Sequence, residues 1–211
     1  QLGDLERGIA AARQALALRQ DDPAAQALLG SLLVMAGDFE QGAQHLQRAL
    51  AIEPDHPDAA HYLGIARHRQ QRWQEALSAY REAARLRPAD FRLLFNAALC
   101  AESLGDFAAA EQALVRARTL APGRADLLAR LAHVQAMTCR FGAESASIAA
   151  LDVLLAQPCQ DPLDDRVEPF LLTYLPLAPP AREEVLRRAG AGLAREARTL
   201  GGALPARARA A

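Results

Sequence analysis

A pattern with a fixed period of 34 positions is the feature that most constrains what this chain can fold into. Three prolines mark the period: Pro54, Pro88 and Pro122. An aromatic residue stands 15 positions before each proline, and small residues stand 24 and five positions before it. In chain order these residues are Gly30, Phe39 and Ala49, then Gly64, Trp73 and Ala83, then Ala98, Phe107 and Ala117. Such a fixed period is typical of stacked helical repeats.

Each repeat is predicted to form two α-helices. Apolar residues recur at three- and four-residue spacing over 58–70 and again over 73–86, which is the spacing of one helix face. Small residues let the two helices approach where they cross, and proline follows the second helix because it cannot continue one. A single repeat cannot bury its own apolar face, so neighbouring repeats must stack. We therefore predict an all-α stack of helix pairs.

The repeat resembles the tetratricopeptide repeat (TPR) family. The residues that carry the resemblance lie in the central repeat, and they are Leu63, Gly64, Trp73, Ala76, Tyr80, Ala83 and Pro88. The resemblance covers roughly residues 3–157. It implies a right-handed helical solenoid of about 3.5 to 4 repeats, in which the first helix of each repeat lines a concave groove.

The register of the repeats divides the chain into an array and a carboxyl-terminal region. Residues 1–20 match the second half of a repeat, and full repeats span 23–54, 57–88 and 91–122. Residues 125–157 form a divergent repeat, because Glu144 replaces a small residue and Pro158 arrives two positions late. For residues 158–211 we predict a linker, a capping helix from 181 to about 200, and a tail. Because residues 1–20 lack a first helix, we expect the natural protein to continue upstream.

Composition narrows the class of partner. The formal net charge is −1, so no global charge favours nucleic acid or a membrane surface. All 24 basic residues are arginine, which excludes lysine-based catalysis and a P-loop.

A transmembrane helix needs about 20 consecutive apolar residues, and because no apolar run is that long, no transmembrane helix is expected. Cys100, Cys139 and Cys159 are too widely spaced for a disulfide framework or a metal motif, and they favour a reducing, cytoplasmic location.

The repeat geometry places a set of side chains on the predicted groove. They are Ala27, Ser31, Val34 and Met35; Asp58, His61, Ile65, His68 and Arg69; Arg92, Phe95, Asn96, Leu99 and Glu102; and Arg130, His133 and Met137. Those predicted to bind a peptide are His61, His68, Arg69, Arg92, Asn96, Arg130 and His133 as polar contacts, with Met35, Phe95 and Met137 as apolar anchors. This mixed face suits a peptide with an acidic group beside a small apolar anchor. The alternative is a solvated surface without a partner.

Two more specific kinds of site are considered for this groove: a clamp for a carboxyl-terminal acidic motif and a metal site. TPR domains that grip a carboxyl-terminal acidic motif use a basic and asparagine clamp, and Asn96 and Arg130 stand at two of its places. His61, Ile65 and Asp126 depart from it, and Asp126 would repel a carboxylate. His61 and His68 are seven positions apart, too far to share a metal ion without a third ligand. We predict no metal, no cofactor and no catalytic site.

A second, short resemblance lies beyond the repeats. Residues 167–190 resemble a segment of bacterial proteins similar to O-linked N-acetylglucosamine transferase, with Pro169, Phe170, Leu171 and Leu172 matching.

The sequence as a whole leads to three hypotheses about function. The first is a non-enzymatic module that binds a protein or peptide in its groove. The second is the substrate-recruiting part of a larger glycosyltransferase, and the third is a homo-oligomer formed through the terminal edges of the array.

Overall fold

The computed structural model describes residues 2–139, 146–151, 153 and 183, and all regular structure in these residues is α-helical. The helices are α1 (Leu2–Leu18), α2 (Pro23–Met35), α3 (Phe39–Ile52), α4 (Pro57–Arg69), α5 (Trp73–Leu86), α6 (Phe91–Ser103), α7 (Phe107–Leu120) and α8 (Ala125–Met137). The all-α prediction is confirmed. The chain divides into two compact units, residues 1–121 with α1–α7 and residues 122–211 with α8.

Consecutive helices of the first unit pack as pairs, in the manner of TPR solenoids. Within the pairs, α2 packs on α3, α4 on α5 and α6 on α7, while α3–α4 and α5–α6 contacts join one pair to the next. The turn inside each pair contains a residue in the left-handed region, and these residues recur with the same period as the prolines: Gly37 (φ 90°), Gln71 (φ 59°) and Gly105 (φ 76°). The period therefore fixes the turns as well as the helices.

Side-chain caps begin most of the helices. Asp22, Asp38, Asp90 and Asp106 each accept a hydrogen bond from a backbone N–H in the first turn that follows. His56 takes the same role for α4, because its Nδ1 accepts from the Ala59 N–H at 3.2 Å. These caps satisfy backbone donors that have no partner inside the helix. The starts of these five helices are thus fixed locally by their own sequence.

Close crossings hold each helix pair together. A Cβ atom added to Gly64 would lie 2.7 Å from two atoms of the Tyr80 ring, and Tyr80 is only 1% exposed. Gly30 meets Leu46 in the same way in the preceding pair. In the following pair Ala98 stands at the equivalent position and is fully buried. The absence of a side chain at residue 64 is therefore what admits an aromatic ring as its partner.

A buried arginine links three helices at the centre of the first unit. Arg67 occupies the register of Leu33 and Ala101, where the other repeats bury an apolar residue. Its Nε lies 3.1 Å from Glu75 Oε2 on α5, within ion-pair range although not aligned as a hydrogen bond. Its Nη1 donates to Gln70 Oε1 at 2.8 Å, and Gln70 Nε2 donates to Glu40 Oε2 on α3 at 2.8 Å.

The second unit is described in part. Most of α8 is buried, and its Gln135 Oε1 accepts a hydrogen bond from the Ser147 hydroxyl at 2.8 Å. Residues 146–151 and 153, within the divergent repeat predicted for 125–157, are helical. The predicted linker, capping helix and tail lie outside the described residues, apart from residue 183, which is helical.

Replacing Gly64 with alanine is expected to destabilise the protein by about 1–3 kcal/mol, because the new methyl group overpacks the Tyr80 ring. The gain in helix propensity offsets only about 0.5–1 kcal/mol of this cost. The control is Gly3→Ala in α1, where nothing lies within 4 Å of the added Cβ. Urea unfolding measures both variants, and an unchanged midpoint for Gly64→Ala would contradict the tight crossing.

Two glutamates test the buried ion pair. Glu75→Ala leaves the Arg67 guanidinium buried without its carboxylate, and we expect a loss of about 1–3 kcal/mol. Glu82→Ala removes a carboxylate of similar exposure whose partner, Arg85, is on the surface, and we expect a loss below about 1 kcal/mol. Chemical denaturation compares the two, and equal losses would show that the burial of Arg67 has no energetic consequence.

Candidate functional site

The candidate site is the surface formed by the first helices of three pairs, which we call the first-helix face. It is defined by Leu28, Ser31 and Met35 of α2, His61, Ile65, His68 and Arg69 of α4, and Arg92, Phe95, Asn96 and Leu99 of α6. All of them are exposed or half-buried. Ala27 and Val34, which the register also places near the groove, are buried in the core beneath this face.

The α2 part of the face is apolar. Leu28 is 52% exposed and Met35 is 62% exposed. Between them the Ser31 hydroxyl donates to the Leu28 carbonyl oxygen of its own helix at 2.9 Å. Because the Ser31 hydroxyl is hydrogen-bonded within its own helix, the apolar side chains of Leu28 and Met35 are the main groups that α2 offers for contact.

The histidine side chains on the α4 part of the face lie close to aromatic rings. The Tyr80 ring of α5 lies 6.3 Å from the His61 ring and 6.5 Å from the His68 ring, centroid to centroid. His68 also meets Trp73 edge to face at 5.0 Å, and His61 lies 5.3 Å from Tyr62. Burial raises the pKa of Tyr80 above its usual value. The two histidines are therefore held in place from below by rings that stay neutral.

Both histidines favour the neutral form. Burial lowers the pKa of His61, and the carboxylates of Asp90 and Asp58 partly oppose that effect. Burial also lowers the pKa of His68, and the charge of Arg69 lowers it further. Near neutral pH these imidazoles therefore act as uncharged hydrogen-bonding groups.

The arginines of this region fall into two classes. Arg87 pairs with Asp58, with Nη1 and Oδ1 2.8 Å apart, and this hydrogen-bonded ion pair lowers the pKa of Asp58. Arg69 and Arg92 have no carboxylate within ion-pair distance among the described residues; the Arg92 guanidinium lies 5.8 Å from the centre of the Phe91 ring. Within the same residues, the side-chain amide of Asn96 has no hydrogen-bond partner.

The other predicted contacts belong to the second unit. Arg130 is only 9% exposed, His133 is half-buried and Met137 is 54% exposed. Asp126, which departs from the acidic-motif clamp, is paired within its own helix start: Arg124 Nη2 donates to Asp126 Oδ2 at 2.8 Å. The structure thus places seven of the ten predicted residues, exposed or half-buried, on the first helices of the first unit and describes the other three within the second unit.

Sequence reasoning missed several residues that shape the face. Leu28 was overlooked although it stands one repeat before Tyr62 and two repeats before Asn96, a register that could have identified it. The support of His68 by Trp73 crosses from one helix to the next, so no spacing within a helix indicates it. Cys100, beneath the face, is buried, and burial raises the pKa of its thiol to about 11.

Other kinds of site were also sought in the described part of the chain. No group of three His, Cys, Asp or Glu residues there is arranged to hold a metal ion. An open depression of about 560 Å³ lies at the turn between α1 and α2, lined by Arg19, Gln20, Asp21, Asp22 and Pro23. None of the helices in those residues combines the length and apolar character needed to cross a bilayer.

The lowered histidine pKa values predict how stability depends on pH. Between the folded and unfolded pKa values the unfolded chain binds more protons, so unfolding becomes easier as pH falls below about 6.5. We expect the free energy of unfolding to decrease from pH 7.5 to pH 5.5. His61→Gln with His68→Gln should reduce this slope, leaving the share of His45, whose pKa burial also lowers. Urea titrations at both pH values test this, and a stability that rises on acidification contradicts it.

Comparisons with known proteins agree with this fold. The tetratricopeptide repeat family model matches residues 1–57, 28–90 and 63–125. A search among curated protein sequences finds no match. The similar solved structures include the following three. MamA AMB-1 is 21% identical, with 75% of this chain and 87% of that chain covered and a TM-score of 0.69. MamA from Desulfovibrio magneticus RS-1 is 17% identical, with 72% and 85% covered and a TM-score of 0.64. YrrB is 19% identical, with 72% and 79% covered and a TM-score of 0.66. The matches of the family model extend over more than half of the sequence, and the chain belongs to the tetratricopeptide repeat family.

Proposed function

We propose that this chain is a non-enzymatic interaction module and that its first-helix face docks an extended segment of a partner protein. The observation that carries the proposal is the combination found on α4 and α6: the Asn96 amide has no hydrogen-bond partner among the described residues, and half-buried apolar side chains lie on the same two helices. An amide pairs with a peptide backbone, and the apolar side chains gain stability when they are covered. This is the chemistry that a bound peptide supplies.

The rigidity of the face supports the proposal. Its side chains project from helices whose starts are capped and whose crossings are tight, so few backbone degrees of freedom remain to be lost on binding. Preformed sites bind more tightly because ordering costs have already been met by folding. One of the similar structures, YrrB, is described as a TPR protein with an unusual peptide-binding site, which favours peptide docking as a use of this fold.

The alternative of a larger glycosyltransferase depends on residues 167–190. These lie outside the described residues except for residue 183, so the proposal rests on the face alone. Self-association is a separate prediction. Leu18 at the end of α1 is 87% exposed, and light scattering over a concentration series would show a rising mass if this edge pairs with a second copy.

The proposal is tested by replacing groups on the face. Peptides are first selected from a random displayed library on the intact chain, and their affinities are then measured by fluorescence anisotropy. We expect Asn96→Ala with Arg92→Glu to weaken the selected peptides at least tenfold, while circular dichroism shows unchanged helicity. The same pair should also reduce the pull-down of a validated partner.

A matched control carries the same chemistry on another surface. Gln112→Ala with Arg116→Glu changes an exposed amide and an exposed arginine on α7, a second helix of its pair. This control should bind the selected peptides as the unaltered chain does. If no peptide is selected, or if both double variants bind equally well, the first-helix face is not the docking surface.

A further inference from the structure

We infer that the first-helix face selects an extended segment in which two acidic side chains flank an apolar one, held by Arg69 and Arg92. This inference rests on the proposed function and adds the chemistry of the partner. It commits to a protein segment, because a backbone-binding amide and apolar side chains lie between the two arginines.

Arg69 and Arg92 differ from Arg87 in having no ion-pair partner among the described residues. On this side of α4 and α6, the carboxylate of Asp58 is paired with Arg87, and that of Asp90 accepts the Arg92 backbone N–H at 3.0 Å. The third carboxylate, Glu102 near the end of α6, is half-buried. The guanidinium groups of Arg69 and Arg92 have no such carboxylate among the described residues, and both side chains are exposed. The face therefore offers two guanidinium groups that form no ion pair within the described part of the first unit.

The separation of these charges follows from the register of the repeats. Arg69 lies in the last turn of α4 and Arg92 in the first turn of α6, and the two helices run in the same direction because a short turn joins each to α5. When Arg69 is shifted by one repeat of 34 positions, it falls eleven positions after Arg92, which corresponds to about 16 Å along the helix axis. The lateral step between α4 and α6, which both pack on α5, lengthens this separation further. An extended chain covers about 16 Å in roughly five residues.

Apolar and hydrogen-bonding groups lie between the two arginines. Ile65, Phe95 and Leu99 are half-buried on α4 and α6, so each keeps apolar surface that a ligand side chain can cover. The Asn96 amide is on α6 as well, and because it has no hydrogen-bond partner in the described part of the chain, it can pair with the ligand backbone. His61 and His68 favour the neutral form, so they add hydrogen-bonding groups without adding charge near neutral pH. An apolar residue between two acidic ones matches this order.

The composition of selected peptides gives the first readout. The random library is selected on the intact chain and, in parallel, on the Arg69→Gln, Arg92→Gln double variant. We expect the chain to enrich peptides with two Asp or Glu residues four to seven positions apart around an apolar residue, and the double variant to lose this enrichment. Selection of peptides without acidic residues would overturn the inference while leaving the docking proposal intact. Selection of no peptide at all would end both.

Affinities give the second readout. Exposed ion pairs contribute about 0.2–1 kcal/mol each, so changing both glutamates of a selected peptide to glutamine should weaken it about twofold to thirtyfold. This loss should shrink at high salt and should vanish on the Arg69→Gln, Arg92→Gln variant. The control variant Arg81→Gln, Arg116→Gln removes two exposed arginines from second helices and should bind normally. An equal loss for both arginine pairs overturns the inference, as does tighter binding of a single-stranded oligonucleotide at Arg69 and Arg92.

Discussion

The crossing of Gly64 and Tyr80 is the contact on which the rest of the first unit depends. Because Gly64 has no side chain, the Tyr80 ring can lie directly against the backbone of α4. The same ring then supports His61 and His68 from beneath. This close approach therefore sets the distance between α4 and α5. It also supports the positions of His61 and His68 on the candidate surface. The Tyr80 ring therefore contributes both to the core and to the support of the first-helix face.

The repeat period predicted the fold because packing, turns and caps all follow it. It placed small residues at crossings and indicated the pairs α2–α3, α4–α5 and α6–α7. It also named most of the first-helix face. The period could not predict how deeply each residue is buried. Two residues at the same register of different repeats lie on the same side of their helices but pack against different residues. Ala27 and Val34 are therefore buried, while His61 and His68, at the same register one repeat later, are half-buried.

Arg67 shows a second limit of sequence reasoning. An arginine in a helical pattern is normally interpreted as exposed, since burying its charge is costly unless it is paired. Its partners are Glu75 on the next helix and Gln70, which reaches back to Glu40 on the preceding pair. These residues stand at unrelated spacings, so only the fold brings them together. Their contact marks where the repeat departs from its own pattern.

Such departures have a structural consequence of their own. Apolar contacts that recur in every repeat do not distinguish one repeat from another, so helices of different repeats present similar surfaces. In the first unit the pair α2–α3 contains a contact of 2.7 Å between Gln26 Oε1 and His45 Nδ1, whereas the pair α4–α5 contains the Arg67–Glu75 ion pair. A wrong pairing would leave these polar groups buried without partners, which costs more than a lost apolar contact. The polar exceptions thus help to fix which helix pairs with which, and the apolar period then supplies the stability of each pairing.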